Sequence, residues 1–377
     1  MNGCAEAPRK IMRTPRKVEL AITGRCNLRC VYCYHFDSPA DVRDDLPTAE
    51  WLQFFEELTS LGVLEVSIGG GEAFIRGDFR EIIRGVVKNR MRFSLLTNGT
   101  LITDELAAFL AETGRCNSVQ VSIDGPSSAV HDKNCGHGSF EKAIRGLDHL
   151  KRYGINRTVR LTITRNNVAH LEEAARVLLE EVGLPSFSTN SACPFGLTKK
   201  NTAKVTLTPD EYAQAMIAHH NIILKYGRRV NAQAGPLSSF KHWTDMEKLK
   251  NEKAPSKPGC GYLTSCGGVF SKMAVRADGI MTPCTQIPHI ELGRINQDSL
   301  LAVWQNHPEL KRLRERRQKP LSGFEYCSGC DYLPYCRGGC PANAFELAGD
   351  ENRPVPSSDS CFSRFQEEGG VLPVFEN

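Results

Sequence analysis

Between about residue 18 and residue 190, short apolar runs alternate with longer segments of helical periodicity. VELAIT (18–23) reads as a strand, and Thr48 opens a helix with Trp51, Leu52, Phe54, Phe55 and Leu58 on its apolar side. LEVSI (64–68), RFSLLT (92–97), SVQVSI (118–123), TVRLTIT (158–164) and FSTN (187–190) read as five further strands. Helices are expected near 78–89 and over 103–112, 139–153 and 168–182 between them. Strands alternating with helices of about 10–15 residues predict βα units around a parallel sheet. Six units suit an open doubly wound sheet or a partial barrel, and either places the chemistry at the C-terminal strand ends.

The polar and turn signals fall at those ends. Cys26 follows the first strand, Gly69–Gly70–Gly71–Glu72 the second, Asn98–Gly99 the third and Asp124–Gly125 the fourth. Asn190 to Gly196, with Cys193, follows the sixth. Residues 208–226 are expected to form another helix, and the polar stretch 228–258 reads as a linker. From 259 the composition shifts to Cys, Gly and turn residues, with a hairpin over 273–284 turning at Asp278–Gly279. HPELKRLRERR (307–317) reads as a basic helix with a solvated face, and no internal repeat is visible.

The length of 377 residues allows one large domain and a smaller one. The net charge of +4, without a basic stripe interleaved with aromatics, gives no sign of a nucleic-acid partner. The N-terminus lacks a signal-peptide apolar region and no run of 18 apolar residues occurs, so a soluble cytoplasmic protein without a membrane partner is expected. Cysteine changes the picture: there are fifteen. In a reducing compartment clustered cysteines are more often metal ligands than disulfides. Three lie on one loop near the start, eight lie between Cys260 and Cys361, and Cys4, Cys116, Cys135 and Cys193 stand apart.

Cys26, Cys30 and Cys33 are spaced C-x3-C-x2-C. Such a loop can wrap one corner of a four-iron cluster and leave one iron open to an exogenous ligand. The spacing leaves open a zinc site with a distant fourth ligand, or three surface thiols. With Tyr32 before the last cysteine, and the loop placed after the first strand, this segment resembles the signature of the radical S-adenosylmethionine enzymes. That resemblance covers residues 18 to 190 and implies that the open iron chelates S-adenosylmethionine (SAM). SIGGGEAF (67–74) is similar to the family's GGE motif, which assigns Gly70, Gly71 and Glu72 to the methionine amino group, although Ala73 stands where Pro is usual. LLTNGTL (95–101) and VSIDGP (121–126) resemble the segments that contact the ribose and the methionyl part, which nominates Asn98 and Ser122, and Tyr32 would lie by the adenine. One departure is HDKNCGHGSF (131–140), with Cys135 where many relatives carry an Arg near the cosubstrate carboxylate; Lys133 and Arg160 are the candidates to replace it.

The C-terminal cysteines (Cys260, Cys266, Cys284, Cys327, Cys330, Cys336, Cys340 and Cys361) suit two four-thiolate sites stapling a segment poor in apolar residues, with zinc ribbons as the alternative. Their spacing resembles a SPASM domain. The resemblance implies one auxiliary 4Fe–4S cluster on Cys260, Cys266, Cys284 and Cys340, and another on Cys327, Cys330, Cys336 and Cys361. The expected fold is therefore α/β: a partial (β/α)6 TIM-like barrel followed by a small cysteine-rich α+β SPASM domain with a β-hairpin. The expected boundaries are a flexible N-terminus 1–17, barrel 18–227, linker 228–258, SPASM domain 259–364 and tail 365–377.

The resemblance implies three 4Fe–4S clusters, SAM as cosubstrate, a reductant such as flavodoxin or ferredoxin, and a 5′-deoxyadenosyl radical that takes hydrogen from an unactivated C–H bond. The leading expectation is a maturase that oxidises or cross-links residues of a ribosomally made peptide. No leader-binding domain of about 90 residues precedes Cys26, so a separate leader-binding protein is expected. A sulfatase maturase is disfavoured by Thr285, where such enzymes carry Asp. A tetrapyrrole or other small-molecule tailoring enzyme is a further alternative; a non-catalytic electron carrier or zinc-binding module is disfavoured by Glu72, Asn98 and the open three-cysteine site. Cys193, on the active-site face, is a candidate hydrogen-atom donor or cosubstrate contact.

Overall fold

The structure is a computed structural model that describes residues 11–36, 44–232, 234–264 and 267–374. Six parallel strands form its centre: β1 (Lys17–Thr23), β2 (Glu65–Gly70), β3 (Arg92–Thr97), β4 (Cys116–Ser122), β5 (Arg157–Ile163) and β6 (Phe187–Ser191). They pair in sequence order, as βα crossovers require. The crossovers carry α1 (Thr48–Ser60), α2 (Phe79–Lys88), α3 (Asp104–Glu112), α4 (Ser128–Cys135), α5 (Ser139–Arg152) and α6 (Leu171–Arg176). The helix expected over 168–182 is a 3-10 turn, α6 and then a π-turn at Val177–Glu181.

Alternation along each strand divides the sheet. Val18, Leu20 and Ile22, Val119 and Val121, and Val159, Leu161 and Ile163 are buried against the helices. The register sets the opposite face: Glu19 beside Ser67 and Ser94, and Ser122 beside Arg160 and Ser188. A TIM barrel usually fills its interior with branched apolar side chains. Here that face is polar or small, and its Leu96 is 41 % exposed, so the lumen is an open, polar space.

The sheet continues beyond the six strands. β7 (Val230–Ala232) adds to β6, and the hairpin β8 (Lys272–Val275) and β9 (Ile280–Thr282) adds to β1, followed by the short β10 (Gly293–Arg294). The hairpin at Asp278–Gly279 thus forms as expected, but it joins the barrel sheet, with β8 parallel to β1. Its apolar residues enter the same core as the barrel's.

Four expectations are corrected. Residues 228–258 are not a featureless linker. After α7 (Leu197–Lys200), α8 (Thr202–Val205) and α9 (Pro209–Tyr226), they contain β7 and α10 (Pro236–Asn251). Leu237, Phe240, Trp243, Met246 and Leu249 recur at every third position of α10, a stripe of one apolar residue per turn that leaves the segment polar on average. Trp243 and Met246 form a second core with Tyr212, Met216, Tyr332, Tyr335, Phe362 and Phe365. That core crosses the expected boundary at 364, since the helix Phe362–Glu367 buries Phe365 completely. Within the expected flexible N-terminus, residues 11–16 are tied down: the Trp304 indole donates to the Met12 carbonyl at 2.8 Å, and Arg16 N–H to Ser271 O at 2.7 Å. Residues 1–10 lie outside the described residues. The basic helix Pro308–Glu315 also departs from a purely solvated face, because Arg314 and, just beyond it, Arg316 are buried and donate to backbone carbonyls. Among the described residues no helix is long and apolar enough to cross a membrane.

Candidate functional site

The ends of β1 to β6 converge on the three-cysteine loop. Past β1, Gly71 N–H donates to Thr23 O at 2.9 Å and Glu72 N–H to Arg25 O at 2.8 Å. A Cβ on Gly70 would lie 2.4 Å from Thr23 O, and one on Gly71 2.1 Å from Arg25 O. The two glycines are therefore required first by the chain's own loop. The far side is held from the segment after β6: Leu197 N–H donates to Cys33 O at 2.9 Å, the Thr198 hydroxyl to Tyr32 O at 3.1 Å, and the Asn201 amide to Val31 O at 3.1 Å.

Glu72 is fully buried. Its Oε1 accepts from Phe74 N–H at 3.2 Å and its Oε2 from Asn98 N–H at 2.8 Å, while the Thr97 hydroxyl lies 2.9 Å from both oxygens. Burial still wins over these bonds and pushes its pKa up to about 7. Glu72 thus locks the end of β2 to the end of β3. Asn98, whose amide donates to Asn27 Oδ1 at 2.9 Å, extends that lock to the cysteine loop. Ser122, the last residue of β4, faces the lumen beside Arg160.

Tyr32 turns inward, with its hydroxyl donating to the buried Asp124 carboxylate. Asp124 Oδ1 accepts from Thr162 N–H at 2.7 Å, and its Oδ2 from the Cys135 thiol at 3.2 Å. His131 Nδ1 accepts from Asp124 N–H at 2.9 Å. Cys135 also lies beside Cys30, and this contact, followed by burial, raises its pKa well above the ordinary thiol value. Asp124, Thr97 and His131 were not foreseen as site residues. The Asp124–Gly125 pair was visible only as a turn at a strand end.

The cysteine groups are thiols in surroundings that hold them protonated. Burial, reinforced by neighbouring thiols, raises Cys26 and pushes Cys33 up to about 12. Cys327, Cys330, Cys336 and Cys361 lie within electrostatic reach of one another, and burial pushes Cys327 up to about 11 and Cys336 to about 12. Thiols so placed become thiolates readily only with bound cations nearby, which fits iron. None of the thirteen described cysteines is in a disulfide. Cys260, Cys284 and Cys340 are described, whereas Cys266, expected to join them, lies outside the described residues. Cys193 sits beside this set: its sulfur accepts from the Gln286 amide at 3.3 Å, Gln286 N–H donates to Cys284 Sγ at 3.5 Å, and Cys340 lies close enough to raise its pKa further.

Comparisons with known proteins agree with this geometry. The family model for the radical SAM superfamily matches residues 20–178, and that for the SPASM iron–sulfur cluster-binding domain matches residues 266–331. The mycofactocin maturase MftC of Mycobacterium tuberculosis is 30% identical over 328 residues, covering 86% of this chain and 78% of that protein. The AdoMet-dependent heme synthase of Oleidesulfovibrio alaskensis is 26% identical over 350 residues, 90% of this chain and 86% of that one. Streptococcus suis SuiB bound to its precursor peptide SuiA has the same fold, with a TM-score of 0.69 at 17% identity over 93% of this chain and 77% of that chain. The family's domains imply SAM binding and 4Fe–4S clusters. An open polar barrel closed by a three-cysteine loop, and a cysteine-rich unit grafted onto its first strand, are the two parts of one enzyme type: the chain belongs to the radical SAM superfamily and carries a SPASM domain.

Proposed function

We propose that this enzyme cleaves SAM reductively and uses the resulting radical to oxidise or cross-link residues of a ribosomally made peptide. The observation that carries the reading is the convergence of Cys26, Cys30 and Cys33 with Glu72 and Asn98 at the mouth of an open polar lumen. When bound, a SAM-chelating four-iron cluster supplies a 5′-deoxyadenosyl radical. In this reading Cys26, Cys30 and Cys33 hold that cluster. Gly70, Gly71 and Glu72 receive the methionine amino group, Asn98 and Ser122 contact the ribose and methionyl part, and Tyr32 borders the adenine. Cys260, Cys266, Cys284 and Cys340 hold one auxiliary cluster, and Cys327, Cys330, Cys336 and Cys361 hold a second. Cys193 stands at the edge of the first. The barrel's share is to exclude water and hold the target C–H in place.

A peptide substrate is supported by the likeness to a maturase and to an enzyme seen with its precursor peptide. A flavodoxin or ferredoxin would reduce the enzyme, and a separate protein would present the leader. A tetrapyrrole substrate is the second reading, favoured by the likeness to heme synthases over nine-tenths of the chain. The test is anaerobic turnover of the reconstituted enzyme with SAM and reductant, against short peptides encoded beside its gene and against propionate-bearing tetrapyrroles. A peptide mass loss coupled to 5′-deoxyadenosine is expected. A modified tetrapyrrole with untouched peptides would replace the first reading by the second.

The Cys135 contact yields a further expectation. The one Cys135 proton goes to Asp124 here; turned onto Cys30 once that sulfur is a ligating thiolate, it would withdraw charge from the sulfur and raise the cluster's reduction potential. Cys135→Ala is expected to make the potential of the SAM-binding cluster more negative, and Cys135→Ser to restore most of the shift. Redox titration followed by electron paramagnetic resonance measures both. An unchanged potential in Cys135→Ala at full iron content would show that the thiol does not act on Cys30.

A further inference from the structure

The helix Phe362–Glu367 begins directly after Cys361 and is anchored by aromatic packing. Phe362 stacks on Trp243 with ring centroids 5.1 Å apart, and Phe365 is fully buried in the same core. The backbone is tied down as well, since Cys361 N–H donates to Ser357 O at 2.8 Å and Phe365 N–H to Cys361 O at 3.0 Å. The two residues between the anchoring rings, Ser363 and Arg364, meet the cysteines of the second C-terminal group.

The Ser363 hydroxyl lies 3.0 Å from Cys330 Sγ. A ligating Cys330 is a thiolate with no proton to give, so the hydroxyl is then the donor. Gly338 N–H donates to a second sulfur of the group, Cys336 Sγ, at 3.4 Å. The Arg364 guanidinium is held over the Tyr326 ring, 4.0 Å from its centroid, and lies within electrostatic reach of Cys327 and Cys361. Tyr326 is fixed in turn by its hydroxyl, which donates to Glu367 at 2.9 Å. A hydrogen bond to a ligating sulfur, or a cation beside it, withdraws negative charge and makes an added electron easier to accept.

We propose that Ser363 and Arg364 are positioning residues that raise the reduction potential of the second auxiliary cluster, through Cys330, Cys327 and Cys361, and so make that site the resting place of the electron released by substrate oxidation. The substrate radical left by hydrogen-atom abstraction gives one electron to this site and one proton to solvent, which completes a two-electron oxidation. An oxidised one-electron carrier then removes the electron. The proposal rests on the radical SAM and SPASM reading of the chain and adds what sets the electron's destination.

The test is redox titration, followed by electron paramagnetic resonance, of the reconstituted holoenzyme as wild type, Ser363→Ala, Ser363→Thr and Arg364→Gln. The couple of the second auxiliary site is identified as the one that disappears when Cys327 and Cys330 are both replaced by alanine. Ser363→Ala is expected to lower its equilibrium constant for reduction about tenfold, a shift of about 59 mV to more negative potential for one electron. Ser363→Thr keeps the hydroxyl and should stay within about threefold of wild type. Arg364→Gln should shift the same couple in the same direction by about threefold, and the other two couples should not move. A wild-type potential in Ser363→Ala at full iron content, or equal shifts in Ser363→Ala and Ser363→Thr, would overturn the proposal. Should Ser363→Ala fail to hold its iron, Arg364→Gln decides, and an unmoved potential there overturns it. Failure of the underlying reading looks different: the wild type then binds only about four irons and shows no such couple.

Discussion

Replacing Cys26, Cys30 and Cys33 together by alanine is expected to lower bound iron from about twelve to about eight per chain and to abolish SAM cleavage. The argument is local. All three thiols lie on one loop, pinned by β2 through Gly71 and Glu72 and by the segment after β6 through Leu197, Thr198 and Asn201. The C-terminal cysteines depend on other supports. Cys330 and Cys336 pack against the core that holds Trp243, Phe362 and Phe365, and Cys284 and Cys340 against the core shared with the hairpin. Losing the opening loop's iron should therefore leave the remaining eight in place. Iron and sulfide analysis after anaerobic reconstitution measures this. About four irons in the wild type, all lost in the variant, would sink the two auxiliary clusters and the electron uptake they are proposed to provide.

Glu72→Gln should be nearly as damaging, although the side chains are almost isosteric. Both carboxylate oxygens accept from a backbone N–H, Oε1 from Phe74 and Oε2 from Asn98. Whichever way the new amide turns, its NH2 meets one of these donors, at a cost of about 1–3 kcal/mol per unsatisfied buried group. The lock between β2, β3 and Asn98 loosens, and SAM affinity should fall at least about tenfold. The wild-type carboxylate also sets a pH dependence. Burial raises its pKa to about 7, above the usual 4.5, so the fold favours the protonated form, and the apo enzyme loses stability as pH rises from 4.5 through 7. A cationic amine beside Glu72 favours the ionised form, so SAM should bind more tightly as pH rises through about 7, and Glu72→Gln should flatten that profile. Isothermal titration between pH 6 and pH 8 decides it. An equally steep profile in the variant would remove Glu72 from amine recognition.

Much of the site was legible because it is built from local signals repeated at equivalent places. Cys26, Glu72, Asn98 and Ser122 stand at or just past the ends of successive strands, and a parallel sheet brings such positions to one face. The helix over 236–251 was not legible, since Leu237, Phe240, Trp243 and Met246 give only one apolar residue per turn and look polar in any average. The buried Arg314 and Arg316 were misread for a related reason. A charged residue shows its burial only through the carbonyls that fold around it.

By itself, then, the sequence determined the order of βα units, the three-cysteine loop, the clustering of the C-terminal cysteines and the hairpin at Asp278–Gly279. All of these are set by periodicity, spacing and turn chemistry within short stretches of chain. Only the tertiary structure decided that the hairpin completes the barrel sheet on β1, that Cys193 belongs beside Gln286 and Cys340, and that Cys135 reaches Cys30. The same holds for Arg160, which bonds Ser188 and Gln120 on the lumen face. These are contacts between residues far apart in sequence. Their partners are set by which segments the sheet brings together, and for Arg160 a register shift of one residue would turn the side chain from the lumen to the helices.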